Sequence, residues 1–157
     1  KHQMKQATGS VLLAAAMLLA PTQAYADGEI AQASCKVNTQ VMGNETPKGR
    51  TDFSQRVRLS GRLSPVYITT NWFNLTPESN YNLQIVGDDV EDCESDFLIQ
   101  DLMSTIGGFN TDAFGAGGMR FRSESINLFG AADVSELYLK LTDSTGKTIQ
   151  CCMIGGQ

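Results

Sequence analysis

Asn80-Tyr81-Asn82-Leu83-Gln84-Ile85 switches between polar and apolar at every step. A period of two is the mark of a β-strand with one face in a core. Just upstream, Val66-Tyr67-Ile68-Thr69-Thr70-Asn71-Trp72-Phe73 is rich in β-branched and aromatic residues, which suit a pleated surface. Of Trp72 and Phe73, one is expected in the core and the other outside, where an exposed aromatic marks a binding patch. The alternation continues outward. Ser54 to Leu63 reads as a strand with Val57, Leu59 and Leu63 on one face and Arg56, Arg58 and Arg62 on the other. Ile126 and Leu128 repeat the period, as do Leu137, Leu139 and Leu141. Turn residues separate these runs, among them Pro47-Lys48-Gly49, Thr76-Pro77, Gly87-Asp88 and Thr145-Gly146. Seven or eight short strands predict an all-β sandwich or barrel. The stretch from Phe97 to Met103 reads as a short helix, and 27–34 as a polar lead-in to a single domain over 35–157.

The N-terminus reads as an address. Lys1, His2 and Lys5 precede an apolar run from Val11 to Ala20, Pro21 breaks it, and Ala24-Tyr25-Ala26 fits a signal-peptidase site. The run is too short to cross a bilayer, which takes roughly 20 apolar residues. Residues 1–26 are therefore expected to be a signal peptide, with Met4 a candidate start, and the protein to be secreted, extracellular or periplasmic. No later stretch reads as a membrane span. The 131 residues after Ala26 hold no histidine, ten basic residues and seventeen acids, a formal charge of −7. Such a chain suits nucleic-acid phosphates poorly, but a basic or cationic partner remains open to it.

Cys35, Cys93, Cys151 and Cys152 are an even set in an exported chain, which implies two disulfides. A bond between the adjacent Cys151 and Cys152 is strained, so both are expected to reach back to Cys35 and Cys93. A four-cysteine zinc site lacks the usual CxxC spacing.

From about Ser34 to Gly155 the chain resembles the copper/zinc superoxide dismutase family. Phe53-Ser54-Gln55 and Val57-Arg58-Leu59-Ser60-Gly61-Arg62-Leu63 are similar to the family's F-x-Q and the strand after it. Leu75-Thr76-Pro77, Gly87-Asp88 and, four residues on, Cys93 follow its G-L-x-x-G, G-D and disulfide cysteine. Ile126-Asn127-Leu128-Phe129-Gly130, Leu137-Tyr138-Leu139-Lys140-Leu141 and Gln150-Cys151-Cys152-Met153-Ile154-Gly155 follow its I-x-L-x-G, R-S-L-V-V-H and A-C-G-V-I-G. The resemblance rests on their order, spacing and cysteines together. It implies an eight-stranded Greek-key β-barrel or sandwich and a Cys93–Cys151 disulfide. Cys152 would then face the other side of the last strand, with Cys35 on the first strand as its partner.

The departures decide the expected function. Two copper-histidine positions of the family's H-G-F-H-V-H fall on Asn82 and Gln84, and the fourth copper histidine falls on Thr142. No histidine lies between Cys93 and Gly108 to bridge metals or hold zinc. The substrate-guiding arginine's position falls on Thr148, beside Lys147. Copper redox chemistry needs imidazoles, and neutral amide oxygens do not replace them. Dismutase activity is therefore not expected, and no catalytic residue or cofactor is assigned.

Asp88, Asp89, Glu91, Asp92, Glu94 and Asp96 place six acids within nine residues. They are readable as a hard-cation site or as a solvated loop; the spacing is not that of an EF-hand, which favours the loop. Arg56, Arg58 and Arg62 are readable as a docking stripe for an acidic partner or as an ordinary solvated exterior, the commoner use of exposed charge. Gly107-Gly108 and Gly115 to Gly118 are expected in hairpin turns rather than in an anion cradle. Asn44 and Asn74 open glycosylation sequons. The expected function is a non-catalytic binding or structural module, partnered by protein or by its own copies. The alternatives are a self-assembling surface subunit, in which acidic loop meets basic strand, and a metal-binding protein or enzyme using the acidic loop.

Overall fold

The computed structural model describes residues 26, 28–37, 46–95, 104–130 and 133–156. The expected leader lies outside them apart from Ala26, as do the expected helix at 97–103, Asp96 and Asn44 of the first sequon.

The chain forms β1 (Ile30–Val37), β2 (Lys48–Arg56), β3 (Val66–Phe73), β4 (Asn80–Val86), a one-turn helix α1 (Val90–Glu94), β5 (Ser104–Asn110), β6 (Gly117–Ser123), β7 (Tyr138–Asp143), β8 (Thr148–Met153) and the two-residue β9 (Gly155–Gly156). One sheet runs β6-β3-β2-β1-β9 and the other β5-β4-β7-β8, and every named pair is antiparallel. The chain crosses between sheets after β3, β5, β6 and β8, so β6 returns to β3, β7 to β4 and β9 to β1. The result is an all-β, disulfide-stapled sandwich.

Burial follows the period of two. β3 buries Val66, Ile68, Thr70 and Trp72 and exposes Tyr67, Thr69, Asn71 and Phe73. Trp72 is thus the core residue of its pair and Phe73 the surface one. Phe53, Ile68 and Trp72 from one sheet pack with Leu83, Ile85, Leu139 and Leu141 from the other. Each large apolar side chain buried this way contributes about 1.5–3 kcal/mol before chain entropy is counted. The polar atoms on the inner faces are satisfied: the Trp72 indole N–H donates to Thr70 Oγ1 at 2.8 Å, and the Thr51 and Thr70 hydroxyls share a 2.7 Å hydrogen bond.

Cys35 pairs with Cys152 and Cys93 with Cys151, with Cα separations of 5.7 and 6.0 Å. Neighbouring residues of a strand point to opposite faces. Cys152, opposite Leu139, reaches inward to β1 in the other sheet, while Cys151, opposite Lys140, reaches outward to α1. One bond therefore staples sheet to sheet, and the other staples the helix onto the outside.

Several expected boundaries are corrected. β1 begins at Ile30, inside the expected polar lead-in, and carries buried Ala33. β2 ends at Arg56 rather than running to Leu63. Arg58 N donates to Arg62 O at 2.7 Å, Gly61 takes a φ of +75°, and the chain folds back so that Val57 bridges Leu63. Leu59, expected on the core face, is 90% exposed at the tip of that turn. Alternation alone cannot reveal a reversal made by one glycine in the left-handed region. Ile126 and Leu128 are buried, but their segment makes an isolated bridge rather than a strand.

Gly107 and Gly108 lie within β5, not in a turn. The reason is close packing. A Cβ on Gly107 would sit 2.6 Å from the Phe121 ring of β6, at the edge where the two sheets meet, and one on Gly108 would sit 2.8 Å from Asn82 Oδ1. Gly115 does serve a turn, with φ +79°, whereas Gly117 and Gly118 begin β6.

Candidate functional site

The outward face of the β5-β4-β7-β8 sheet carries a polar cluster. Leu83 and Leu141 face the core, so their strand neighbours Asn82, Gln84, Lys140 and Thr142 face out. Register places Asn82 opposite Thr142 and Gln84 opposite Lys140. On the next strand Thr142 stands opposite Thr148 and Lys140 opposite Cys151. The three positions that the sequence resemblance aligns with copper histidines thus stand on adjacent strands, on one face. Thr148 stands beside them.

This face is not open to water as a sheet exterior normally is. Lys140 is 2% exposed and Thr142 5%. α1 packs against β7 and β8 on this face, fastened by Cys93–Cys151 and by hydrogen bonds: Lys140 Nζ donates to Ser95 O, and Thr148 Oγ1 donates to Ser95 O at 2.9 Å. Two side chains therefore hold one carbonyl just past the helix end. A buried ammonium is costly unless hydrogen-bonded, and the Ser95 carbonyl is one of its partners. Sequence reasoning places Lys140 on an outward face and stops there; its burial needs a helix delivered from elsewhere by a disulfide.

The acidic segment serves as the helix's N-terminal end. Asp89 caps α1 by accepting from Glu91 N at 2.9 Å, and Glu91 and Asp92 occupy the first turn, where negative charge complements the helix dipole. Asp88, Asp89, Glu91 and Glu94 are exposed. Among the described residues no three His, Cys, Asp or Glu side chains converge into a group able to hold a metal ion, and all four cysteines are in disulfides.

Arg56, Arg58 and Arg62 are exposed, but they do not form a strand face. Arg56 ends β2, and the other two belong to the reversed loop. That loop divides two shallow grooves. One of about 370 Å³ is lined by Ile30, Gln32, Ser54, Arg56, Arg58 and Tyr67. The other, of about 330 Å³, brings Arg58 and Arg62 together with Arg122 of β6 and Asn127. The involvement of Arg122, some sixty residues from Arg62, is a product of the β3–β6 pairing that the sequence pattern does not disclose.

The β7–β8 turn is built on Asp143, whose Oδ1 accepts from Thr145 Oγ1 at 2.6 Å, Thr145 N at 2.9 Å and Lys147 N at 3.0 Å. The Thr145 hydroxyl first, and then the two backbone amides and the Lys147 charge, hold the Asp143 carboxyl below its ordinary value. A carboxyl depressed by folding stabilises the fold above its unfolded pKa of about 3.9 and loses that contribution as pH falls through the lower, folded value. Amide exchange at Thr145 and Lys147, corrected for intrinsic rates, is expected to keep its protection down to pH 4 and lose it below. Equal protection at pH 2 would contradict this.

Among the described residues no helix is long and apolar enough to cross a membrane. No protein-family model matches the sequence, and a search of curated proteins finds no relative.

Proposed function

We propose that the chain is an exported, degenerate form of the copper/zinc superoxide dismutase fold, a Greek-key sandwich that works without catalysis as a binding or structural module. The observation that carries this reading is the placement of Asn82, Gln84 and Thr142 on one face of one sheet. Asn82 and Gln84, two apart on β4, share a face in any strand; the support comes from Thr142, sixty residues on, which stands opposite Asn82. The chemistry there is amide, hydroxyl and ammonium, with Lys140 contributing a positive charge where the family gathers imidazoles around a cation. A lysine ammonium repels a copper ion, and amide oxygens are weak donors to it. The disulfide from the segment after β4 to the last long strand also supports the reading. The leader and the two disulfides are consistent with an oxidising compartment, extracellular or periplasmic.

The test is an intact mass and metal analysis of protein purified from its own host and then dialysed against copper. The expected result is a mass lacking residues 1–26, lowered by four hydrogens for two disulfides, with substoichiometric copper and no superoxide consumption. One tightly held copper per chain, with turnover of superoxide, would sink the proposal.

A further inference from the structure

The fold gathers most of its lysines and arginines on one side. Of the ten lysines and arginines after residue 26, eight lie on the five-stranded sheet or its loops; Lys140, which is buried, and Lys147 lie on the other. Arg50 and Arg122 on the basic side meet Asp52 and Glu124 at 2.8 and 3.3 Å, pairs that are exposed and weak. The four-stranded side carries the exposed acids Asp88, Asp89, Glu91 and Glu94, with Val90 among them 40% exposed. At the basic end, apolar surface sits inside the charge: Ile30 is 49% exposed and Tyr67 48%, and both line the groove rimmed by Arg56 and Arg58. Tyr and Arg around a small apolar centre is the composition of protein-binding surfaces.

We propose that this groove receives the acidic β4–α1 loop of a second copy of the chain, with Val90 against Ile30 and Tyr67 and the flanking carboxylates against Arg56 and Arg58. The argument is complementarity within one molecule. The basic groove is a positive surface on a chain of net charge −7 after residue 26, so it attracts acidic surface, and the chain displays such a surface with an apolar residue at its centre. A two-fold contact through either face would set like charges together, which is costly. The contact is therefore head-to-tail, and because the two faces lie on opposite sheets it leaves one free groove and one free loop for further copies. The inference rests on charge and exposure and stands whether or not the fold is of the dismutase type.

Sedimentation velocity over a concentration series tests it, using the purified protein and two variants. Arg56→Glu/Arg58→Glu spoils the groove; Asp88→Lys/Glu91→Lys spoils the loop and leaves the helix cap Asp89 in place. The wild type is expected to form oligomers that grow with concentration and dissolve in 0.5 M salt. Each variant alone is expected to lose at least about 100-fold in association, since attraction becomes repulsion. Mixed one to one, the variants are expected to recover a dimer and nothing larger, as one retains its loop and the other its groove. That recovery also shows both variants to be folded. A wild type that stays monomeric at low salt, oligomers indifferent to both variants, or loss with the groove variant alone would overturn the proposal; the last would assign the groove to a different acidic partner.

Discussion

Cys35→Ala/Cys152→Ala is expected to lose about 4 kcal/mol of folding stability, a drop in melting temperature of about 10–20 °C for a domain of this size. The two cysteines are 117 residues apart in sequence, but the relevant loop is shorter. With Cys93–Cys151 intact, the unfolded chain is already tied at one step from Cys152, so the second bond closes a ring of about 60 residues, which gives the same ~4 kcal/mol in the chain-entropy model. Cys93→Ala/Cys151→Ala should cost a similar amount by the same count, and it also frees α1 from the sheet. Domains have about 5–15 kcal/mol in all, so loss of both bonds should leave the chain largely unfolded at 37 °C. Urea titrations with and without reductant measure this. A midpoint that does not move on full reduction would show that the sandwich is held by packing alone.

Gln55→Met is expected to cost about 3 kcal/mol although it keeps the side chain's size. Gln55 is 2% exposed at the end of β2, and its amide uses both ends. Nε2 donates to Ser64 O at 2.8 Å and to Asn127 Oδ1 at 3.0 Å, while Oε1 accepts from Leu128 N at 2.7 Å. One side chain thus ties the reversed loop after Val57 and the buried, strandless segment 126–128 to the sheet. Methionine fills the volume and leaves those groups without their partner, each at about 1–3 kcal/mol if water cannot reach it. The effect should be local first. Amide exchange at Leu128 should accelerate far more than exchange at Ile68 or Leu83. If Leu128 stays as protected as in the wild type, the glutamine is not what holds that segment.

Gln55 also shows how much of the molecule is legible without coordinates. It sits in the Phe53-Ser54-Gln55 fragment, and strand parity with Phe53 and Val57 marks it as inward-facing. Its partners in two later segments are not written anywhere near it. Lys140 is the opposite case: parity with Leu139 and Leu141 turns it outward, toward expected solvent, and the structure buries it under α1. Arg62 and Leu59 mark the third kind of gap, where Gly61 reverses a run that reads as one continuous strand.

By itself the sequence determined which side chains of β3, β4 and β7 share a face, because the extended backbone turns residues alternately and the apolar ones alternate with it. It also determined the chemistry on offer: after residue 26 there is no imidazole, and carboxylates outnumber cations. Only the tertiary structure decided which strands stand side by side. That choice set Asn82 beside Thr142 and Gln84 beside Lys140, brought Arg122 to Arg58, and put eight of the ten basic residues after residue 26 on one sheet or its loops. The physical reason is that a period of two fixes the direction of a side chain but not its neighbour, which depends on long-range pairing and on two disulfides closed between distant parts of the chain.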